Sequence, residues 1–360
     1  VSDVVVVPSV FGDIVYIATG DRDLGSAWAM GGGQFNDNNS VGVLKSTDGG
    51  KTWSTTGLSF ALSQQITVNR LIKDPNNNST LFAATSAPAV ATPSPGLYKT
   101  TDGGATWSVV SSNQFVDIKF KPGSSSTLYA STWTGDIYRS TNYGSSGSWS
   151  QVLSTSNYRT EIAVSANNAS VVYAVMSNGT GLGGVYSSSN SGASFSQVFA
   201  GNTLGNNILG YYCDASGTVN GGQAEYDLCI AADPTNANTV YIGGINTWKS
   251  TNGGLTWSII NIWGNDPAYN CSGSPIVHQD KHYFAFQGGT STLYECNDGG
   301  LYKTTDGGTT WTDLTNGMVI SQIYRLGVNQ SAANEILTGM QDNGAKLYNS
   351  GSWTDVLEDD

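Results

Sequence analysis

Short apolar stretches recur along the whole chain, and each has the length of a β-strand. Segments rich in β-branched and aromatic residues lie at 81–85, 127–131, 171–175, 239–243 and 292–296. A second apolar segment follows some of these, as at 96–100 and 300–304. No segment shows the sustained periodicity of an amphipathic helix. The pattern therefore predicts an all-β protein made of many short strands.

A polar sequence of fixed spacing follows these strands and repeats along the chain. Four near-copies read Ser/Thr-Thr-Asp/Asn-Gly-Gly-x-Thr-Trp, at residues 46–53, 100–107, 250–257 and 304–311. Degenerate copies lie at 140–149, 188–195 and 350–353. In a hairpin turn the Asp or Asn can accept backbone N–H bonds, the glycines allow positive φ, and the Trp can pack back over the turn. The repeat predicts seven structural units.

The spacing of these turns predicts the architecture. Their acidic or amide residues are Asp48, Asp102, Asn142, Asn190, Asn252 and Asp306, which are separated by 54, 40, 48, 62 and 54 residues. This spacing fits propeller blades of roughly 40 to 50 residues with loop insertions. Four-stranded sheets repeated around an axis form a β-propeller. We therefore predict an all-β fold, a single β-propeller domain over residues 1–360 with seven four-stranded blades.

The repeated motif resembles that of the Asp-box (BNR) repeat proteins, which include sialidases, the xyloglucanases of glycoside hydrolase family 74 and sortilin-type (VPS10) receptors. Residues 74–107 are most similar to the family 74 and sortilin-type propellers of secreted bacterial proteins. The resemblance implies that the boxes lie on the outer rim and determine architecture, not chemistry. A sialidase matches less well, because no Arg-Ile-Pro sequence occurs at Arg22, Arg70, Arg139, Arg159 or Arg325.

The resemblance to family 74 implies an enzyme of two seven-bladed propellers that enclose a cleft. Each propeller of such an enzyme would supply one catalytic aspartate. The nearest counterpart of the first aspartate is Asp21, although the family's preceding Arg and following Gly-Gly are missing here. This chain has blades for one propeller, so the second aspartate would come from elsewhere in a longer protein. Residues 358–360 directly follow an expected strand, which is typical of a fragment of a secreted multidomain protein. Sortilin-type receptors have ten blades and bind peptides in their tunnel.

Composition and charge narrow the classes of partner. Only 12% of the residues are charged, against roughly 25% in typical domains, and 45 are glycine, which suits an uncharged extracellular surface. The net charge of -12 predicts repulsion of nucleic acid and anionic lipid. No apolar run approaches the ~20 residues of a membrane helix. The chain begins at Val1 without an initiator Met, which is consistent with a processed protein that is secreted or at the cell surface.

The four cysteines indicate disulfides and not a structural zinc site, because none of them lies in a paired C-x-x-C cluster. Four cysteines allow three pairings. We expect the pairing of neighbours along the chain, which joins Cys213 to Cys229 and Cys271 to Cys296.

Three loops are longer than is usual in a compact domain, namely 22–41, 199–224 and 262–275, and long loops are often functional. Trp28 and Trp263 lie in or beside these loops, where their rings could stack on the apolar face of a sugar. The alternative is that each ring covers a blade edge. Trp133 and Trp248 are in strand contexts that predict burial in the core.

The two histidines of the chain both occur in His278-Gln-Asp280-Lys-His282. In a strand, His278, Asp280 and His282 would share one face, where they could bind a metal ion or polarise a bound hydroxyl. The alternative is a structural network between blades, with Asp298 as a natural partner. We expect no cofactor, and a metal ion at these three residues is kept as the alternative.

Polar clusters lie next to apolar strands at comparable positions in several blades, at 20–23, 223–227, 297–298 and 341–344. On one face they would surround the channel mouth with carboxylates, and a glycoside hydrolase needs two. The predicted catalytic residues are Asp21, Asp227 and Glu225. The predicted substrate contacts are Trp28, Trp263, Tyr226, His278, Asp280, His282, Asp298, Gln341 and Asp342. The alternative is that acidic residues beside glycine only form turns.

These observations favour a polysaccharide-directed propeller that hydrolyses or binds a neutral glycan at the channel face. The first alternative is a non-catalytic propeller for cell-surface recognition or adhesion, and the second is sortilin-like peptide binding. The expected partners are a glycan and other domains of the same polypeptide or of a surface assembly. Nucleotide binding is not supported, because the chain lacks a G-x-x-x-x-G-K-[ST] loop.

Overall fold

The structure is a computed structural model that describes residues 1–10, 12–20, 40–87, 92–201, 203, 205–214, 221–318, 320–321, 323–332 and 334–357. Across these residues the strands form seven four-stranded antiparallel sheets, each built from four strands in chain order. The predicted all-β, seven-bladed propeller is confirmed. Two short 3₁₀ turns, Leu62–Gln64 and Pro267–Tyr269, are the helical elements of the described chain. No helix within these ranges is long and apolar enough to span a membrane.

The first four sheets, blades 1 to 4, extend from residue 3 to residue 200. Blade 1 contains β1 (Asp3–Val7), β2 (Ile14–Ala18), β3 (Gly42–Ser46) and β4 (Ser54–Ser59). Blade 2 contains β5 (Thr67–Asp74), β6 (Asn77–Ser86), β7 (Leu97–Thr100) and β8 (Ser108–Ser111). Blade 3 contains β9 (Phe115–Phe120), β10 (Leu128–Thr132), β11 (Asp136–Ser140) and β12 (Trp149–Ser154). Blade 4 contains β13 (Thr160–Val164), β14 (Val172–Ser177), β15 (Leu182–Ser188) and β16 (Ser196–Ala200).

The last three sheets, blades 5 to 7, follow the long segment after β16. Blade 5 contains β17 (Cys229–Ala232), β18 (Val240–Gly243), β19 (Thr247–Ser250) and β20 (Ser258–Asn261). Blade 6 contains β21 (Lys281–Phe286), β22 (Leu293–Asn297), β23 (Gly300–Thr304) and β24 (Thr312–Asp313). Blade 7 contains β25 (Ile323–Val328), β26 (Glu335–Met340), β27 (Ala345–Asn349) and β28 (Ser352–Leu357).

The first strand of a blade lies on the inside of the ring, because the first strands of blades 1 to 6 contact one another in sequence. Each blade is an antiparallel meander. The turns between its second and third strands therefore lie at the same end as the loops that lead into the next blade. We call this the site end. The repeat turns join third to fourth strands and lie at the opposite end.

The hydrophobic core consists of layers between neighbouring blades. In one layer Tyr129 and Ile137 of blade 3 pack with Ile162, Val172 and other buried residues of blade 4. Trp248 is buried between blades 4 and 5, as its strand context predicted. Trp133 differs from its prediction, because it lies in the turn after β10 and is only half-buried.

The repeat turns have the predicted hydrogen bonds. In blade 2 the Oγ1 of Thr100 donates to Asp102 Oδ1 at 2.7 Å and accepts from the N–H of Gly104. Thr106 donates its N–H and its Oγ1 to the same carboxylate. These bonds lower the pKa of Asp102 to about 2. Trp107 donates its indole N–H to the carbonyl of Gly104 at 3.2 Å, so the ring packs back over the turn.

Blade 7 joins the ring mainly at the site end. The carbonyl of Asp342 contacts His278 Nε2, and Asn343 donates to the carbonyl of Asp298 in blade 6 at 3.3 Å. Away from this end, apolar side chains of blade 7 are exposed, among them Ile323, Leu326, Val328 and Leu337. The position of blade 7 therefore depends on polar contacts at the site end.

A buried arginine occupies the centre of the ring. Arg70 on β5 is 3% exposed, and its Nε lies 2.8 Å from Asp117 of blade 3. Its Nη2 lies 3.0 Å from Glu161 of blade 4, and its Nη1 lies 3.9 Å from Asp3 of blade 1. Its guanidinium also lies 5.6 Å from the ring centre of Tyr283 in blade 6. One side chain thus connects blade 2 to four other blades.

The charge of Arg70 is balanced by its surroundings. Burial by itself would lower the pKa of Arg70, but Asp117, Asp3 and Glu161 outweigh that effect and raise it. Asp117 is fully buried and also accepts the N–H of Ile162 at 3.0 Å. Removal of the cation would leave Asp117 with Lys119, and Glu161 with Arg159, as the remaining counter-charge.

We expect Arg70→Met to lower the free energy of unfolding by about 3 kcal/mol, because it removes the central counter-charge from the buried carboxylates of Asp117 and Glu161. Urea unfolding followed by tryptophan fluorescence measures this loss. The matched control is Lys51→Met, which removes one exposed positive charge and should leave the midpoint nearly unchanged. Equal midpoints for the two variants would contradict the central role of Arg70.

Candidate functional site

Four segments converge at the site end between blades 5, 6 and 7. They are the described parts of 205–228, the loop 262–280, and the turns at 298–299 and 341–344. The first two lead into β17 and β21, and the other two join the second and third strands of blades 6 and 7. The meander places all four at one end, so residues far apart in sequence come into contact.

Asp298 is held by two partners at the centre of this region. Tyr226 donates its hydroxyl to Asp298 Oδ2 at 2.7 Å, and His282 Nε2 lies 2.7 Å from Asp298 Oδ1. The rings of Tyr226 and His282 meet edge to face at 4.7 Å. Burial raises the pKa of Asp298, but the hydrogen bond and charge of His282 outweigh it, so the net shift is downward. Asp298 is therefore an ionised acceptor.

Tyr226 is a hydrogen-bond donor in this arrangement. Burial and the negative charge of Asp298 raise the pKa of its hydroxyl far above the ordinary value. A nucleophilic phenolate would need the opposite shift. The environment of Tyr226 therefore does not support the tyrosine nucleophile of a sialidase.

Asp227 and Asp280 form a second polar centre. Both are buried, with Asp227 fully so, and the charge of Asp280 acts on the carboxyl group of Asp227. Burial and the charge of Asp280 raise the pKa of Asp227 strongly, which keeps it protonated. Burial and the charge of Asp298 raise the pKa of Asp280 to about 6. Burial and nearby negative charge therefore favour the protonated form of both carboxyl groups.

His278 and His282 both lie at the site, but they do not share one strand face as predicted. β21 begins at Lys281, and Asp280 has a left-handed backbone with φ of 60°, so the expected single strand face is wrong. His278 Nε2 instead contacts the carbonyl of Asp342 at 2.5 Å, while His282 pairs with Asp298. In the parts of the chain that the structure describes, no three His, Cys, Asp or Glu side chains converge as metal ligands.

Lys281 is a functional neighbour that sequence reasoning missed. It is fully buried, and its ammonium group contacts Glu295 at 3.6 Å and the carbonyls of Val277 and His278. Burial lowers its pKa, while Glu295 and the nearby aspartates oppose the shift. In the sequence, the sign of this buried position is a lysine that directly follows Asp280 and precedes an apolar strand.

Four aromatic rings form a surface beside the carboxyl groups, which we call the aromatic platform: Tyr211, Tyr212, Trp263 and Tyr269. The ring centre of Tyr269 lies 6.1 Å from Tyr211, 5.6 Å from Tyr212 and 5.7 Å from Trp263. Trp263 donates its indole N–H to the carbonyl of Tyr211 at 3.0 Å. The pKa of Tyr211 is raised by burial first and then by the negative charges of Asp227 and Asp280.

A disulfide supports the aromatic platform and corrects the predicted pairing. Cys213 is bonded to Cys271 with a Cα–Cα distance of 4.9 Å, while Cys229 and Cys296 are not part of a disulfide in the described structure. The predicted pairs Cys213–Cys229 and Cys271–Cys296 are therefore wrong. Cys229 is the first residue of the inner strand β17, where its Sγ faces the carbonyl of Lys281. The convergence of two loops, and not proximity along the chain, brings Cys213 to Cys271.

The remaining predicted site residues lie as follows. Glu225 is exposed at the surface, and partial burial of its carboxyl raises its pKa. Gln341 donates to Asp342 Oδ1 at 2.6 Å, in the turn that reaches blade 6. Asp21 and Trp28 lie outside the described residues.

Sequence comparisons match only part of this chain. No family model matches the chain. A xyloglucanase from Paenibacillus sp is 36% identical over 104 residues, which is 28% of this chain and 9% of that protein. The chain therefore spans only a small part of this relative.

Structure comparisons support the fold. The crystal structure of an ancestral GH74 enzyme matches with a TM-score of 0.52 and 22% sequence identity, over 81% of this chain and 38% of that chain. A structure of YCF48 bound to D1 peptide matches with a TM-score of 0.49 and 18% identity, over 87% of each chain. The first of these likenesses supports the propeller architecture and leaves the activity to be argued from the site.

The disulfide assignment predicts the thiol content of the protein. When produced in an oxidising compartment and unfolded without reductant, the chain should expose two reactive thiols, those of Cys229 and Cys296. Peptide mapping should find Cys213 linked to Cys271. A peptide that links Cys213 to Cys229 would contradict the structure.

The acidic pair predicts a pH dependence of stability. The pKa of Asp280 is about 6 in the folded state, above the model value of 3.8, so the folded state binds the proton more tightly. Stability should therefore fall as pH rises from about 4 to above 6, by about 3 kcal/mol for this group. Asp280→Asn should flatten this slope in urea unfolding at several pH values. The surface variant Thr309→Ala should keep it, and an unchanged slope in Asp280→Asn would contradict the assignment.

Proposed function

We propose that this chain is a polysaccharide-directed propeller that binds a neutral glycan at the site end, on the aromatic platform beside the acidic residues. The observation that carries the proposal is the platform itself, whose rings include the partly exposed Tyr211 and Trp263 and are braced by a disulfide. Aromatic rings stack on the apolar faces of sugars, and nearby polar groups orient the hydroxyls. Asp298 and Gln341 are half-buried groups of this kind.

The negative charge of the protein supports a neutral ligand. The chain carries a net charge of -12, and Asp298 is ionised at the centre of the site. A polyanionic glycan would be repelled by this field. The carboxylates accept hydrogen bonds from sugar hydroxyls without needing a charged partner.

The carboxyl geometry supports binding over hydrolysis. Glycosidases hold their two carboxyl groups about 5–9.5 Å apart, with the substrate between them. Asp227 and Asp280 are instead both buried, so neither carboxyl group is open to a substrate. The predicted catalytic role of Asp227 is therefore not supported by its position.

Hydrolysis is the second candidate, and Glu225 is the observation that favours it. Glu225 is exposed with a raised pKa, which is the property of a general acid. The ionised Asp298 is bonded to the adjacent Tyr226 and would be the second carboxylate. The likeness to a xyloglucanase over 104 residues supports either glycan-directed role. A catalytic role for Asp21 and stacking by Trp28 remain predictions.

The repeat turns and the disulfide also support proposals about the repeat family and the location of the protein. We propose that the repeat turns are Asp-boxes and that the protein works outside the cell, where a disulfide such as Cys213–Cys271 persists. A role in surface recognition or adhesion would use the same glycan-binding surface, with other domains of a longer polypeptide as partners. Peptide capture in the tunnel is less well supported, because Arg70 and its carboxylate partners occupy the channel.

Affinity gel electrophoresis with neutral polysaccharides tests the binding function. We expect the wild-type chain to be retarded by at least one neutral glycan and Trp263→Ala to weaken binding about tenfold, because a stacking anchor is lost. The control is Trp53→Ala, which removes a partly exposed tryptophan from a repeat turn at the opposite end. Retardation by no glycan, or equal losses in both variants, would refute the proposal.

A reducing-sugar assay on the same panel separates the two candidates. Binding without release supports the binding function. Release that disappears in Glu225→Gln, while retardation persists, would instead establish hydrolysis with Glu225 as a catalytic residue.

A further inference from the structure

Arg159 is a buried arginine next to the proposed site, and neither its charge nor its position is explained by the core. It directly precedes β13 at the site end and is 1% exposed. Its guanidinium carbon lies 5.5 Å from the ring centre of Trp133, which covers one face of the group. A charged side chain so deeply buried must find its partners in the protein.

The partners of Arg159 are the backbone of the turn that carries the site residues. Its Nη1 donates to the carbonyls of Glu225 at 2.8 Å and Tyr226 at 2.7 Å. Its Nη2 donates to the carbonyl of Leu228 at 3.3 Å. Three carbonyls within four consecutive residues thus converge on one guanidinium.

The other edge of Arg159 is tied to the centre of the ring. Its Nε and Nη2 both donate to Glu161 Oε1, at 3.3 and 3.2 Å. The second oxygen of Glu161 accepts from Arg70, the central arginine. A continuous path therefore leads from the channel network through Glu161 and Arg159 to residues 225–228.

We propose that Arg159 is a positioning residue of the glycan site, which fixes the turn 225–228 so that Glu225 and Tyr226 face the ligand in one orientation. This inference rests on the proposed function for the identity of the ligand. The effect of Arg159 on the turn 225–228 does not depend on the ligand and can be tested without a glycan.

Only an arginine suits this position. The planar guanidinium has five N–H donors in a fixed fork, and the contacts of Arg159 to three carbonyls and Glu161 use that shape. A lysine at this site would keep the charge but could not hold the three carbonyls with the same geometry. Mutation can therefore separate the contribution of the positive charge of Arg159 from that of its planar, forked guanidinium.

Hydrogen exchange tests the positioning role in the full chain. The N–H groups of Tyr226 and Asp227 donate to the carbonyl of Gln223, and that of Ala224 donates to the carbonyl of Thr180 in blade 4, so all three have protection to lose. In Arg159→Lys we expect exchange of residues 223–228 to accelerate about tenfold, because geometry is lost while charge remains. Strand β14 of the same blade is the internal reference and should keep its protection.

Titration of Glu225 by carboxyl NMR separates positioning from mere stability. The charge of Arg159 lowers the pKa of Glu225, so Arg159→Met should raise its titration midpoint above that of Arg159→Lys. Arg159→Lys should also weaken glycan retardation while the fold persists. If Arg159→Met does not fold, the Lys variant alone carries the test.

Two results would overturn the inference: unchanged exchange of residues 223–228 in Arg159→Lys, or equal acceleration in β14, which would show a general loss of stability. Accelerated exchange confined to the turn supports it. If that acceleration occurs but the wild-type protein binds no glycan, the proposed function fails and the positioning role of Arg159 on the turn remains.

Discussion

The structure depends on one buried cation at the centre of the ring. Arg70 carries its charge into the channel and meets acidic groups from blades 1, 3 and 4. Burial of ions costs several kcal/mol for each ion, and only close pairing offsets that cost. The blades must therefore be placed correctly together for the network to form, which couples their positions. Glu161 extends the same network to Arg159 and so to the site end.

A second buried cation has the same role for blades 5 and 6. Lys281 begins the inner strand β21 and pairs with Glu295, which also accepts hydrogen bonds from Thr247 and Asn261 of blade 5. Lys281 and Arg159 lie near the carboxyl groups of the site and lower their pKa values, while burial raises them. The protonation states at the site result from this balance between burial and nearby charge.

The site end combines two chemically different surfaces. One is the acidic centre, where the pKa of Asp298 is lowered and burial raises the pKa values of Asp227 and Asp280. The other is the aromatic platform, which the Cys213–Cys271 disulfide supports. Together they offer stacking and hydrogen bonding, which is the chemistry that the proposed binding of a neutral glycan requires. The burial of Asp227 separates this arrangement from that of a glycosidase with two accessible carboxyl groups.

The sequence alone determined the blade architecture, because each repeat turn forms from hydrogen bonds within about seven residues, as Thr100, Asp102 and Thr106 show. Most polar residues of the candidate site lie beside strand ends, which is the pattern that led the sequence analysis to them. The tertiary structure alone decided the disulfide partner of Cys213, the burial of Asp227 and the grouping of Tyr211 with Tyr269. These properties depend on how loops from different blades meet, and that contact is set by the packing of whole blades around Arg70, which no local pattern records.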